Sequence, residues 1–539
     1  MQSIYRAERR RPRRTHRKLW LALAVVLGVL LVAAGGLFAY KHFWGASPAA
    51  KAASGLQFDN SVSEAEEHSI RQAVEKQHKT FGGAARVSVA TKVEVDNVSS
   101  VLAAYVPVTN IYTTRQVLTK ADLVNLVAYV PAGTDGKVRT AIEQALSLSP
   151  GKLAVLSTPA AEVPDTAVAF IPADQLTPKV KLLTFEGAYY LDSFTKGAVF
   201  RQATIGGAAQ AALMDLKLNN YASKDTTLKV NMTGVTALTR LMMRKLSSVK
   251  DASYFSQQIG GFLSDADITH VSNEVSFKTG CTYSDTQFCA PPGMIDALKS
   301  SGVDLVELTG NHNNDTGNTY NTESINLYHS LGWHTFGGGL NTVEGAKPYL
   351  AGQKGSKLAF LGYNYADGLG SGAIASDTTA GANHFDFDKI KSDIAAVKQQ
   401  ADFIIVDVQF WECYAYPNGY VEFPECDQPI PNQREVFRQL IDMGADMVVG
   451  TQAHQPQTYE LYNGKPIYYG LGNLYFEQTQ WPGTERGIIL THYFVGGKLV
   501  QTKLSPTVYG QELQTHLMAD GDALKLLERL KTARQAAGL

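Results

Sequence analysis

The chain has 539 residues, 45% of them hydrophobic and 18% charged, with a formal net charge of −1. That length calls for two or three domains, and that composition supports a packed core without a disulfide framework. The charge is segregated: residues 1–18 carry eight Lys/Arg and one Asp/Glu, which leaves a net −8 on the remainder. A mildly acidic body excludes nucleic acid as a partner, because phosphate binding needs a basic face.

Arg6, Arg9, Arg10, Arg11, Arg13, Arg14, Arg17 and Lys18 lead into an uncharged apolar run from Leu19 to Tyr40. Its length is close to the ~20 residues that cross a bilayer as a helix. Trp20, Tyr40 and Trp44 lie near its ends, where interfacial aromatics are common. The pattern predicts a single-pass signal anchor in the cell membrane, with residues 1–18 cytoplasmic and the rest extracytoplasmic. The Ala-rich stretch at Ala46–Ala53 keeps a cleaved signal peptide as the alternative. Residues 41–55, including GASPAAKAASG, form a linker.

Residues 56–225 are expected to form an N-terminal α/β domain. A charged helical stretch, SEAEEHSIRQAVEKQ, is followed by strand-like runs (SSVLAAYVPV, KLAVLS, TAVAFIP) and helix-like runs (KADLVNLVAYV, KVRTAIEQAL). Such alternation suggests an α/β sandwich. Residues 226–515 repeat the alternation. Strand candidates are TLKVNMTG, ADITHVSN, VDLVELTGN, KLAFLGYN, DFIIVDVQF, ADMVVGTQ and PIYYGLGN. Helical runs between them include MIDALKSSG, TESINLYHSLG, FDKIKSDIAAVKQQ and NQREVFRQLIDMG. GIILTHYFVGGKLVQTKLSP reads as a hairpin through Gly496 and Gly497, and residues 516–539 as an amphipathic C-terminal helix.

The four cysteines sit in polar, turn-rich stretches. Outside the cell, Cys281–Cys289 and Cys413–Cys426 are the simplest of three connectivities; neither pair has the CxxC spacing of a zinc site. Many strands end in polar, Gly-containing turns: VNMTG, VSNE, LTGNHNND, VQFWE, VGTQAH and GLGN. Ligands of open α/β folds bind outside the carboxyl ends of strands, so these turns are expected to converge on one rim. GxSxG, GxxxxGK[ST] and HExxH are absent. His270 and His334 have the default reading of core or surface residues. Glu307 is unusual in a buried-strand pattern, and Arg240 is its suggested partner.

Three motifs on that rim carry a family resemblance. DLVELTGNHNNDTG resembles the CapA motif NNHxxDxG at Asn311, His312, Asp315 and Gly317. SNEVSF, with Asn273 and Glu274, is similar to the family's NLE turn. GTQAHQPQTYELYNGKPIYYGLGNLYF is close to its GHHPHVxQPxExYxGKxIxYSLGNFxF block at His454, Pro456, Glu460, Gly464, Gly472 and Asn473. The chain is thereby identified as CapA-like, a family of capsule and poly-γ-glutamate synthesis proteins. The resemblance implies a metallophosphatase-like α/β sandwich over 226–515. More weakly, AYVPVTNIYTTRQVLTKADLVNL and VAFIPADQLTPKVKLLTFEG resemble type-2 solute-binding-protein domains of phosphate or molybdate transporters; a ligand-free spacer domain is the alternative.

The departures bear on chemistry. Where the family's GDxMLxR has a metal-binding aspartate, GVTALTR has Val235, with Arg240 retained. HWGxEY becomes QFWECY, with Gln409 in place of histidine and Trp411 and Tyr414 echoing the motif. A histidine of GHHPH becomes Gln452, and only His454 is kept. Valine cannot coordinate a metal, and a neutral glutamine is a poor ligand.

The implied catalytic set is His312, Glu274, Glu412 and His454. The implied substrate-binding set is Asn273, Asn311, Asp315, Gln409, Gln452, Arg240 and Asn473. Glu274, Asn311 and His454 are the ligands for one divalent metal (Mn, Zn or Fe), with metal-free chemistry as the alternative. Three functions stay open: a hydrolase or transferase acting on a cell-surface polymer such as poly-γ-glutamate, a non-catalytic polymer-binding or assembly factor, and a metallophosphoesterase. Capsule-synthesis proteins of the membrane are the expected partners.

Overall fold

In the computed structural model the described residues are 55–79, 85–206, 218, 222–410 and 433–539. The expected anchor lies outside them, as do Trp411, Glu412, Cys413, Tyr414 and Cys426. Among the described residues no helix is long and apolar enough to cross a membrane. They form two compact units, one drawn from Met1–Ala90 and Ala203–Asn219 and the other from Thr91–Gln202 and Asn220–Leu539.

In the first unit Leu56–Phe58 pairs in parallel with residues 85–87. The helix Glu64–Lys76 begins at a capping box, in which Ser63 and Glu66 each satisfy the other's backbone N–H. Ile70 and Val74, one turn apart, are its fully buried face.

The second unit contains three large sheet portions. In the first, Val101–Asn110 runs antiparallel to residues 199–202 on one side and to Ala167–Pro172 on the other; Val127–Pro131 continues the sheet in parallel with Leu153–Leu156. KADLVNLVAYV is not a helix. It divides into a 3-10 turn at Asp122–Val124 and the strand Val127–Pro131. Burial alternates along Val127, Ala128, Tyr129 and Val130, and this period of two prevails over the helix-like composition before it. This sheet packs on the C-terminal half: Tyr493 enters its core, and Gln501 donates to the Thr177 and Val180 carbonyls.

The other two portions face each other. In one, Thr227–Ala237 is central. It pairs in parallel with Ile268–Asn273, which leads on to Leu305–Glu307 and His334–Phe336. Its other edge is shared: residues 227–232 pair with Arg486–Val495, and residues 235–237 with Asn473–Phe476. The hairpin through Gly496 and Gly497 forms as expected, with Lys498–Tyr509 as its return strand. In the opposite sheet Ser356–Asn364, Phe403–Gln409, Met447–Thr451 and Lys465–Tyr468 run parallel.

Alternation decides which side chains lie between these layers. Leu228, Val230, Met232, Leu305 and Leu490 meet Leu358, Phe360, Ile405, Met447 and Val449 in one apolar cluster. The register of Thr227–Ala237 shifts between Met232 and Val235, so the alternation turns over. Val235 and Ala237 then join a different core, under the helices, with Phe255, Leu298 and Tyr328. Gly234 sits at this irregularity because a Cβ there would lie 1.9 Å from the Gly472 carbonyl oxygen.

The apolar interlayer holds four polar residues at the same alternation: His270, Glu307, Asp407 and His492, all fully buried. His270 Nε2 lies 3.0 Å from Asp407 Oδ2, one residue from each sheet. The suggested Glu307–Arg240 pair does not form. Glu307 instead accepts from the Thr309 N–H at 2.9 Å and from the Thr309 hydroxyl. Burial, then the neighbouring Asp407 charge, pushes the Glu307 carboxyl up to about 7. Burial raises Asp407 too, with His270 opposing, and burial together with His270 drives His492 down to about 3.

A carboxyl raised by folding stabilises the fold below its unfolded pKa, and that contribution is lost as pH climbs through the folded value. Glu307→Gln does not titrate. Its stability relative to wild type is therefore expected to rise between pH 4.5 and about 7, by on the order of 3 kcal/mol. Urea unfolding at several pH values measures this, and a pH-independent difference would mean that Glu307 titrates normally.

Candidate functional site

The parallel strands of both facing sheets end on the same rim, as the polar turns predict. Gln409 ends Phe403–Gln409 and is fully buried. Its Nε2 lies 3.5 Å from Glu274 Oε1 and 3.2 Å from Asn311 Oδ1, and it also donates to Gln452 Oε1. An amide has two N–H groups, so the three acceptors share them. Glu274 and Asn311 follow strands of one sheet, whereas Gln409 and Gln452 follow strands of the other. One side chain therefore joins four turns across the two layers. Gln452 reaches it from a backbone at φ +78°, a region that disfavours non-glycine residues. Gly310 lets the Asn311 turn pass: a Cβ there would lie 2.7 Å from Glu274 Cα and 3.0 Å from Glu274 Cγ.

A second group lies around two phenylalanines. His312 Nδ1 is 2.8 Å from Asp315 Oδ2, which also accepts from the Phe288 N–H at 2.8 Å. An acidic acceptor there keeps the proton on Nδ1 and leaves Nε2 as the basic nitrogen. The His312 ring is 4.5 Å from Phe288, Phe288 is 5.8 Å from Phe476, and His454 is 5.0 Å from Phe476. His454 Nδ1 lies 2.9 Å from Asn473 Oδ1, and Asn473 Nδ2 donates to the Thr484 carbonyl at 3.0 Å. That second bond orients the amide, so His454 is the donor in the first. The Arg240 guanidinium lies 5.9 Å from the Phe288 ring. Arg240 is only 8% exposed and its Nε is buried without a hydrogen-bond partner. No ion pair to it occurs among the described residues. Its φ of +53° opens the helix Arg240–Val249 under strain.

The structure thus gathers Glu274, Asn311, Gln409 and Gln452 in one group, and Arg240, His312, Asp315, His454 and Asn473 in the next. Asn273 stands apart from both. Its amide donates to the Val275 carbonyl and Tyr328 Oη and accepts from Thr236 Oγ1, so it shapes the turn. Glu412 lies outside the described residues. The expected Cys281–Cys289 disulfide is present and closes the loop that carries Phe288. His270 proves to be a core histidine held by Asp407, and His334 stacks on Tyr349 at 4.5 Å. Sequence reasoning missed Phe288, Phe476 and Asp407. The available signals were the adjacent Cys289 for Phe288 and, for Asp407, an acid inside the strand run DFIIVDVQF.

The donor set does not fit a binuclear metal centre. Val235 lies in an apolar core, Gln409 and Gln452 bond each other, and Gln409 also occupies Glu274 Oε1. Among the described residues no three His, Cys, Asp or Glu side chains are grouped to hold an ion. Equilibrium dialysis against Mn²⁺ or Zn²⁺ is expected to leave less than one equivalent per chain, and two tightly held equivalents would overturn this reading. Gly310→Ala is expected to displace Glu274 and cost about 1–3 kcal/mol of stability, as overpacking does; thermal unfolding checks it.

The family described as Bacterial capsule synthesis protein PGA_cap matches residues 229–478, which contain every residue of both groups. The capsule biosynthesis protein CapA of Bacillus anthracis is 25% identical over 203 residues, which is 37% of this chain and 46% of that protein. The PGA biosynthesis protein CapA of Bacillus subtilis (strain 168) is 25% identical over 199 residues, 37% of this chain and 49% of that one. The chain spans about half the length of these curated relatives. The calcineurin-like phosphoesterase YfkN from Bacillus subtilis aligns over 57% of this chain and 99% of its own, at 11% identity and a TM-score of 0.33, too distant to inform the site. Residues 229–478 thus match the capsule-synthesis family model, and over that region the chain is similar to the CapA proteins.

Proposed function

We propose that the chain is a membrane-anchored extracytoplasmic protein of capsule or poly-γ-glutamate assembly, and that its rim grips an anionic polymer and reacts with it. The polymer class comes from the names of the relatives. The observation that carries the reading is Arg240. A guanidinium taken out of water with no carboxylate paired to it among the described residues is costly. A carboxylate of the polymer matches its planar fork and relieves that cost.

With the polymer held there, His312 across Phe288 supplies acid–base chemistry. Its Nε2 takes the proton of a water, or of an amine, as that nucleophile bonds to an amide carbonyl carbon. It returns the proton to the departing nitrogen as the C–N bond breaks, giving hydrolysis or transfer. Asp315 orients the ring and stabilises the imidazolium. His454 is a second imidazole on the same aromatic strip, and Glu274 adds a carboxylate within the Gln409 group. The metallophosphoesterase alternative has weaker support, since its metal positions hold Val235, Gln409 and Gln452.

A non-catalytic grip is the second reading, favoured by the Gln409 amide, which is engaged with Gln452, Glu274, Asn311 and Thr451. Purified full chain incubated with poly-γ-glutamate separates the two. Polymer cleavage or transfer is expected, with His312→Ala slowing it by roughly 10²–10⁴-fold while binding persists. Binding without turnover in the wild type would leave only the grip, and turnover unchanged in His312→Ala would remove His312 from the chemistry.

A further inference from the structure

Outside residues 229–478 lies a cavity of about 480 Å³. One wall is the turn Thr113–Val117 with Asp165, and the other is a face of the C-terminal helix Asp520–Ala536. Two contacts brace the walls. Thr114 Oγ1 donates to Glu528, and Lys531 Nζ lies 2.7 Å from Asp165 Oδ2. Glu528, Asp165 and Lys531 are therefore already engaged.

The groups left over have one chemistry. Arg115 lines the cavity and makes no ion pair among the described residues. Lys181, buried, donates to the carbonyl of Thr113, in the same turn, at 2.7 Å. Burial lowers its pKa to about 7, and the Asp165 charge offsets this only in part. Among the described residues neither cation has a carboxylate within hydrogen-bond reach; Asp122 acts on Arg115 and Asp165 on Lys181 through charge alone. The cavity also exposes Val117 and Leu524, 43% and 46% accessible. Leu524 is notable because the helix already buries Leu526, Leu527 and Leu530 in the core. Asp520, exposed at the mouth, suits an ammonium group. The volume lies in the range of small-molecule sites.

We propose that this cavity is a second binding site, for a small aliphatic amino acid or a carboxylate of similar size. Its carboxylate lies on Arg115 and its apolar part lies against Val117 and Leu524. None of these residues belongs to the rim, so this proposal and the polymer reading stand or fall separately.

Calorimetric titration of the full chain with L-leucine, L-leucinamide and inorganic phosphate tests it. L-Leucine is expected to bind, with the other two at least about tenfold weaker. Arg115→Ala and Leu524→Asp are each expected to weaken L-leucine binding by about tenfold or more at unchanged thermal unfolding. Preference for phosphate over L-leucine overturns the carboxylate class. No L-leucine binding up to about 10 mM, or equal binding in Arg115→Ala, overturns the site.

Discussion

Two sheets packed only through leucine, isoleucine and phenylalanine attract each other without specifying direction, because the hydrophobic effect is non-directional. The His270–Asp407 contact adds direction. It connects one residue of each facing sheet at 3.0 Å within a mostly apolar layer. Asp407 lies two residues before Gln409, and His270 lies four before Glu274. Any slide of one sheet against the other would break the buried contact and pull Gln409 away from Glu274 and Asn311. The rim is thus set by a polar contact in the core beneath it, and Glu307, bonded to Thr309, ties the Asn311 turn to the same layer.

Above that layer the rim divides its work. The Gln409 amide bonds side chains that follow strands of both sheets, so it acts as a clasp between them. The aromatic strip of Phe288 and Phe476 carries two oriented imidazoles and a buried arginine. The disulfide at Cys281–Cys289 belongs with this strip, since it holds the loop from which Phe288 projects. Amides at Gln409 and Gln452 bond each other and so hold the two sheets together at the rim.

Much of the architecture was legible in the chain. Apolar runs such as DFIIVDVQF and VDLVELTGN announced buried strands, and Gly496–Gly497 announced the hairpin, because both signals are local. KADLVNLVAYV was misleading, since a helix-like beginning outweighed the short alternation at its end. The motif residues Asn311, His312, Gln452 and His454 were legible as rim residues through their order and spacing. The suggested Glu307–Arg240 pair failed for a plain reason: strand alternation points Glu307 between the sheets, whereas Arg240 lies beside Phe288.

By itself the sequence determined most of the strand and helix order, the rim as a meeting place of turns and Cys281–Cys289 as the simplest pairing. These follow from neighbours near in the chain or from residue identity. Only the tertiary structure decided that Gln409 bridges two sheets, that His270 meets Asp407, that Phe288 and Phe476 join His312 to His454, and that Arg115 faces the C-terminal helix. Each of those contacts joins residues from separate elements, in most cases distant in the chain, and chain packing, not local preference, sets which of them meet.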